Sequence, residues 1–283
     1  MNEYLVFLSC IGFLLFLIPN RYRWYAGIIG WASISLLLLL ELPGFLEINN
    51  FLYPTIGILS VPFVYLTARR LLAEDQAIGS LTKAAAFSFL IYAPFGFIDP
   101  LRNWLIAVVV DQTYFVLSLL KYPVTLYSWN TFMAGSIPGS DLGFRVEIVL
   151  GCTGIASIAI MLAVANMVPT TLRQKVLAFL LIAPTIYILN LFRNAYVIMA
   201  YTGQWYPWLP ELVGRGAYGY ESFFWAHNVV SELLALALLI GMAYALFRLI
   251  PDLGVMAEQL ISRYIHDSRE LVAGFRQAVL RGR

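Results

Sequence analysis

The sequence predicts an all-α, polytopic transmembrane bundle of seven to eight membrane segments with an amphipathic helix at its C-terminal end. Three observations carry that expectation. Of the 283 residues 61% are apolar and 12% charged, against about 45–50% and about 25% in soluble domains. Mean hydropathy is +0.79. The apolar residues also gather into runs close to the roughly 20 that a helix needs to cross a hydrocarbon core. The formal net charge of +2 says little about partners, because in a membrane protein the placement of charge matters more than its sum.

Taken in order, the first two runs cover about Tyr4–Ile18 and Trp24–Leu42, separated by Pro19, Asn20, Arg21, Tyr22 and Arg23. The third covers Phe51–Ala68 and ends in Arg69 and Arg70. A fourth, Ala84–Ile98, is short and carries Pro94 and Gly96; a fifth, Leu101–Leu120, contains Asp111. The polar and aromatic stretch 121–145 reads as a loop. The sixth, seventh and eighth runs are Glu147–Val168, Val176–Tyr201 and Phe224–Ile250. This gives a membrane domain over 1–250, its site built from 147–231, and a cytoplasmic basic tail over 251–283.

Lysines and arginines mark cytoplasmic ends. Arg21, Arg23, Arg69, Arg70, Lys83, Arg173, Lys175 and Arg248 place the start of segment six, the end of seven and the start of eight on the outer side. The loops 122–144 and 202–222 then face outward. Parity conflicts with this between Lys83 and Tyr122, where two runs stand and an odd number of crossings is needed. A re-entrant fourth run, or one misassigned charge, resolves it. In the tail, Leu253, Met256, Leu260, Ile261, Tyr264, Ile265, Leu271, Phe275 and Leu280 suit one helix face, with Arg263, Arg269, Arg276, Arg281 and Arg283 on or near the other. That pattern reads as an interfacial helix on an anionic inner leaflet.

Two cysteines, Cys10 and Cys152, are too few for a disulfide framework. No Cys/His spacing suits zinc, and no metal or cofactor is expected. Nothing reads as a nucleotide site or nucleic-acid surface. Cys10 sits in the first run and is expected to pack. Cys152 stands between Gly151 and Thr153-Gly154, read as the first turn of segment six, where free helix N–H groups favour a thiolate. The glycines there let a substrate backbone come close.

Arg193 lies in segment seven about eight residues from its outer end, roughly 12 Å deep at about 1.5 Å per residue. An arginine at that depth costs about 3 kcal/mol or more on insertion scales, so it marks a function or an ion pair with Glu147, Asp111 or Glu232. His227, one of two histidines, opens segment eight. The topology places Cys152, Arg193 and His227 in one outer layer of three consecutive helices. A thiol, a base for its proton and a fixed guanidinium are the parts of a cysteine acyl-transfer site. Arg145 and Glu147, just ahead of Cys152, either position the site or pair with each other. The outer loops add Tyr127, Trp129, Asn130, Phe132, Pro138 and Asp141, then Trp205, Tyr206, Trp208, Tyr218 and Tyr220. They suit an aromatic membrane belt and a grip on a peptide equally well.

Across Glu147–Ser231 the chain resembles the exosortase/archaeosortase membrane transpeptidases. The resemblance rests on Cys-Thr-Gly-Ile at Cys152–Ile155, Arg193-Asn194 and Ala-His-Asn at Ala226–Asn228. It implies Cys152 as nucleophile, Arg193 as oxyanion or substrate stabiliser and His227 as general acid/base, with Asn194, Tyr196, Trp205 and Asn228 binding substrate. Some members carry arginine where this chain has His227. The implied partners are the C-terminal signal helices of secreted surface proteins such as S-layer glycoproteins. Their signal is a Pro-Gly-Phe-type motif, a transmembrane helix and a basic cluster. The implied acceptor is a membrane phospholipid, and the implied location the multi-pass cell membrane with the site near its outer face. Two rivals remain at the sequence level: an intramembrane cysteine protease with water as acceptor, and a transporter or assembly scaffold that uses Arg193.

Overall fold

The computed structural model describes residues 2–47, 52–139, 143–214 and 217–281, with side chains throughout except at 2, 3, 52 and 274–281. Phe51 and Asp141 lie outside the described residues, as do the side chains of Phe275, Arg276, Leu280 and Arg281 and the whole of Arg283. The chain is mostly helical. Helices α1 (Asn2–Leu17), α2 (Arg23–Leu40), α3 (Leu42–Glu47), α4 (Leu52–Leu72), α5 (Gln76–Phe97) and α6 (Asp99–Leu119) come first. Strands β1 (Thr125–Ser128), β2 (Thr131–Ala134) and β3 (Phe144–Glu147) follow, then a 3-10 turn at Leu150–Thr153. Next are α7 (Ile155–Ala165), α8 (Leu172–Thr202), α9 (Pro210–Val213) and α10 (Tyr220–Phe223). A π-helical stretch, Phe224–Ser231, leads into α11 (Glu232–Leu249), and α12 (Pro251–Arg281) closes the order.

Among the described residues, Arg23–Leu40, Tyr53–Leu72, Gln76–Phe97, Leu172–Thr202 and Tyr220–Leu249 are long and apolar enough to cross a membrane. Tyr4–Leu17 and Ile155–Ala165 are shorter apolar helices. This is a multi-pass membrane protein. The doubt over the fourth segment moves to the fifth. α5 begins at Gln76 rather than Ala84, because Asp75 Oδ1 accepts the Ala77 N–H at 2.9 Å and caps the helix. α6, with Asp99, Arg102, Asp111 and Gln112, is not among the helices apolar enough to span. Arg102 closes the end of α5 by donating to the carbonyls of Phe95 and Gly96.

The chain divides into two compact units, Met1–Leu90 with Ala163–Lys175 and Leu246–Arg283, and Ile91–Leu162 with Val176–Ala245. In the first, α1 and α2 pack backbone to backbone. A methyl group on Gly12 would stand 2.7 Å from the Gly30 nitrogen, the small-residue contact that membrane helices use. Ser9 Oγ donates to the Gly30 carbonyl at 2.9 Å. Cys10 is buried, as its place in an apolar run led us to expect. Phe16, Trp24, Leu71 and Ile78 form the core, with Leu260 and Tyr264 of α12 against it. Tyr264 stacks on Phe63 and its hydroxyl meets Thr67 Oγ1 at 2.7 Å. Arg263, placed on the polar face from sequence, pairs with Asp75. Arg70 grips Asp267, its Nε 2.7 Å from Oδ2.

In the second unit the stretch expected as a loop contains an antiparallel sheet of order β1-β2-β3. Phe132, Ala134, Phe144 and Val146 alternate inward while Arg145 and Glu147 are exposed. That period-two pattern sets the register Thr131↔Glu147 to Ala134↔Phe144. The buried face joins Ile106, Val109, Val110 and Leu117 of α6 and Leu191, Ala195 and Ile198 of α8. The sheet thus delivers the chain from β3 directly to Cys152.

Candidate active site

Glu147 belongs to a strand, and α7 does not begin until Ile155. Cys152 therefore lies in a 3-10 turn ahead of the helix, not in its first turn as the apolar pattern suggested. The cause is local. Gly154 adopts φ 78°, ψ −4°, a left-handed conformation that separates the two helical ladders. The Cys152 N–H donates to the Val149 carbonyl at 2.8 Å, and Thr153 Oγ1 donates to the Leu150 carbonyl at 2.7 Å. Upstream, buried Asn130 donates through Nδ2 to Glu147 Oε1 at 3.0 Å and to the Ile148 carbonyl at 3.2 Å. Cys152 is half-buried against the core that holds Leu191 and Ala195.

The carbonyl of Cys152 is held by α8. Asn190 Nδ2 donates to it at 2.6 Å and Asn194 Nδ2 at 2.9 Å. Arg193 lies on the same helical turn. Its guanidinium NH2 is 3.2 Å from His227 Nε2, and His227 Nδ1 is 2.7 Å from Asn228 Oδ1. A guanidinium only donates and a carbonyl oxygen only accepts. The imidazole is therefore neutral, with its proton on Nδ1 and its Nε2 lone pair toward Arg193. The Phe223 ring stacks on it, centroids 5.0 Å apart at 14°, which fixes the ring plane. Both His227 and Asn228 lie in the π-helical stretch, whose wider turn re-aims side chains and recurs at functional sites.

Three separate elements thus converge around one turn of α8. Cys152 reaches it through Asn190 and Asn194, and His227 through Arg193. Among the described residues no carboxylate lies within ion-pair distance of Arg193. Glu147 is instead bound to Asn130. Arg145 and Glu147 do not pair with each other: Arg145 lies over the Tyr127 ring, 3.7 Å from its centroid. Tyr196 hydroxyl meets that of Tyr206 at 2.7 Å, and its ring packs edge-on against Trp205, which is 47% exposed. Trp208 continues the cluster to Trp225, whose Nε1 donates to the Trp208 carbonyl at 2.9 Å. Asn190 and Phe223 were not singled out from sequence. The first had a signal, an Asn at i−4 from Asn194 in an apolar helix; the second had none.

Comparison with known proteins gives the family of the chain. The family model of transmembrane exosortases matches residues 3–226. The chain belongs to the transmembrane exosortase family. The match includes Cys152 and Arg193 and stops one residue before His227. The chain is 30% identical to archaeosortase A of Natronomonas pharaonis over 220 residues, covering 72% of this chain and 69% of the relative. It is 24% identical to archaeosortase A of Haloferax volcanii over 261 residues, 85% of each. No solved structure matches it.

Proposed function

We propose that this exosortase-family protein is a cysteine transpeptidase that removes a C-terminal signal helix from secreted surface proteins and transfers them to a membrane lipid. One observation supports this most: a single turn of α8 is tied both to the Cys152 turn and, through Arg193, to His227. In this reading substrate binding draws Arg193 away from His227 Nε2, the freed lone pair takes the Cys152 proton, and Sγ attacks the carbonyl carbon of the scissile peptide. The guanidinium of Arg193 stabilises the oxyanion. It has five N–H donors, and the one released from His227 joins others that can face the substrate. Collapse breaks the C–N bond, the proton on His227 passes to the leaving amine, and the signal helix departs. The nucleophilic head group of a phospholipid, losing its proton to His227, then attacks the thioester and releases the thiol.

The same reading places the loops 122–144 and 202–222 outward and α12 at the cytoplasmic surface, in the cell membrane. A single crossing by α5, with α6 not counted as a span, restores the parity that the arginines and lysines require. A Pro-Gly-Phe-type motif would lie against Tyr196, Trp205 and Asn228, with S-layer glycoproteins as the substrate class. The test is Cys152→Ala in cells, read by mass spectrometry of the C-termini of surface proteins that carry motif, helix and basic tail. Retention of the helix and loss of the lipid are expected. Unchanged processing would reduce Cys152 to a packing residue and return the case to a transporter or scaffold centred on Arg193. A wild-type product that is cleaved but carries no lipid would mean that water is the acceptor.

A further inference from the structure

We propose that Asn190 and Asn194 are positioning residues of the cysteine site, holding the turn that carries Cys152 against the stretch of α8 that bears Arg193; this rests on the transpeptidase reading above. The carbonyl of Cys152 belongs to no helical ladder. The 3-10 turn ends at Thr153, and the first bond of α7 runs from the Ile158 N–H to the Gly154 carbonyl. An orphan carbonyl in a buried setting needs one donor. This one has two, at 2.6 Å and 2.9 Å. The second donor exceeds what satisfaction alone requires, and Asn194 is only 4% exposed. A buried amide in an apolar helix is costly unless partnered, and here both are spent on one oxygen.

The geometry explains what they achieve. Residues four apart share a helix face, so both amides converge on the carbonyl along one stripe of α8. Arg193 stands between them in sequence. Because the peptide group is planar, fixing that oxygen fixes the Cys152–Thr153 peptide plane and so the backbone that carries the thiol. Asn190 also faces the turn at Gly154: a methyl group there would meet its Cβ and Cγ at 3.4 Å. The segment of α8 that aims Arg193 at His227 therefore also sets the nucleophile, and their relative placement is built into one rigid turn.

The experiment uses the full-length protein in lipid vesicles with a synthetic peptide of Pro-Gly-Phe, an apolar helix and a basic tail. Rates are expressed per reactive Cys152 thiol, counted by maleimide labelling in a Cys10→Ala background. Each of Asn190→Ala and Asn194→Ala is expected to lower kcat about tenfold, and the double variant about 100-fold, the scale of an ångström-sized misplacement. KM should stay within about threefold of its starting value, since both amides are engaged by the Cys152 carbonyl and not, as the resemblance implied for Asn194, by substrate. Asn194→Asp, equal in shape but without the donor, should lose as much as alanine. A double variant whose kcat per thiol stays within about threefold of the parent, while Cys152→Ala is inactive, overturns the proposal and leaves the transpeptidase reading standing. Full activity of Cys152→Ala would overturn both.

Discussion

At the scale of single residues, the site is set by which hydrogen-bonding atoms can donate. Arg193 can only donate, so His227 Nε2 must accept, and Asn228 Oδ1 must take the proton on Nδ1. Asn228 thus selects the tautomer that leaves Nε2 without a proton. Asn228→Ala is expected to lower kcat about tenfold or more, an effect of the general acid–base kind, and to raise KM as well, since the same side chain is proposed to face the sorting motif. A kcat unaltered in steady-state assays would remove Asn228 from the machinery. Thr113 gives a simpler test away from the site. Its side chain is fully buried in α6, and Oγ1 has no partner among the described residues. Thr113→Val keeps the shape and deletes an unsatisfied hydroxyl, so stability should rise by about 1 kcal/mol. A fall in the thermal midpoint in detergent would show that the hydroxyl has a partner.

At the scale of elements, the turn before α7 and the π-helical stretch before α11 matter most. Both are departures from regular helix at candidate site residues, Cys152 and His227. Gly154 sits at φ 78°, and a methyl group on it would stand at van der Waals distance from Asn190. Gly154→Ala should therefore cost about 1 kcal/mol for the left-handed backbone alone. It should also lower turnover, because relief of the strain shifts Cys152 against Asn190. Unchanged stability and turnover would mean that the turn relaxes freely. Hydropathy could not show these irregularities. Glu147–Val168 is apolar throughout most of its length, and periodicity favours one continuous helix. What overrides it is tertiary: Phe144, Val146 and Ile148 are buried in the core beneath β2 and draw the chain into a strand. The same burial of Phe132 and Ala134 makes a sheet of the stretch read as a loop.

At the scale of the molecule, α12 is held by a charged and aromatic clamp whose pH dependence has a definite sign. Hydrogen bonding to Arg70 holds the Asp267 carboxyl below the usual carboxylate range. At a pH between that depressed value and the ordinary one near 3.9, the unfolded chain binds more protons than the folded one. The contribution of the pair is therefore fully present above the ordinary carboxylate value and is lost as pH falls through the depressed one. At the alkaline end, burial pushes Tyr264 up to about 12. Its contribution is present below the ordinary tyrosine value near 10 and lost as pH rises toward 12. Hydrogen exchange along α12 should accelerate at both extremes, and Asp267→Asn should remove the acid limb while exposing the helix at neutral pH. A flat profile would mean that α12 is held by other contacts. The proposed orientation is checked separately. Trp129→Cys, in a background without Cys10 and Cys152, should react with an impermeant maleimide from outside the cell, and Glu258→Cys only after the membrane is opened. The reverse labelling pattern would invert the topology.

The class of this protein, its membrane character and its three candidate reactive residues were legible in the chain alone. Composition and run length are properties of the solvent a segment needs. An arginine deep in an apolar helix is conspicuous because burying it is costly. Cys152, Arg193 and His227 could be picked out because few other residues in those runs carry reactive or charged groups. Tertiary structure alone decided how they are held. Two asparagines converge on one backbone oxygen, a glycine bends the chain in front of α7, a π-helical turn re-aims His227, and the proton on its ring is assigned by Arg193 and Asn228. Each depends on partners far apart in sequence, such as Cys152 with Asn190 and Arg193 with His227. Hydrophobic periodicity reports which solvent a residue faces, and hydrogen-bond geometry exists only once the elements have packed.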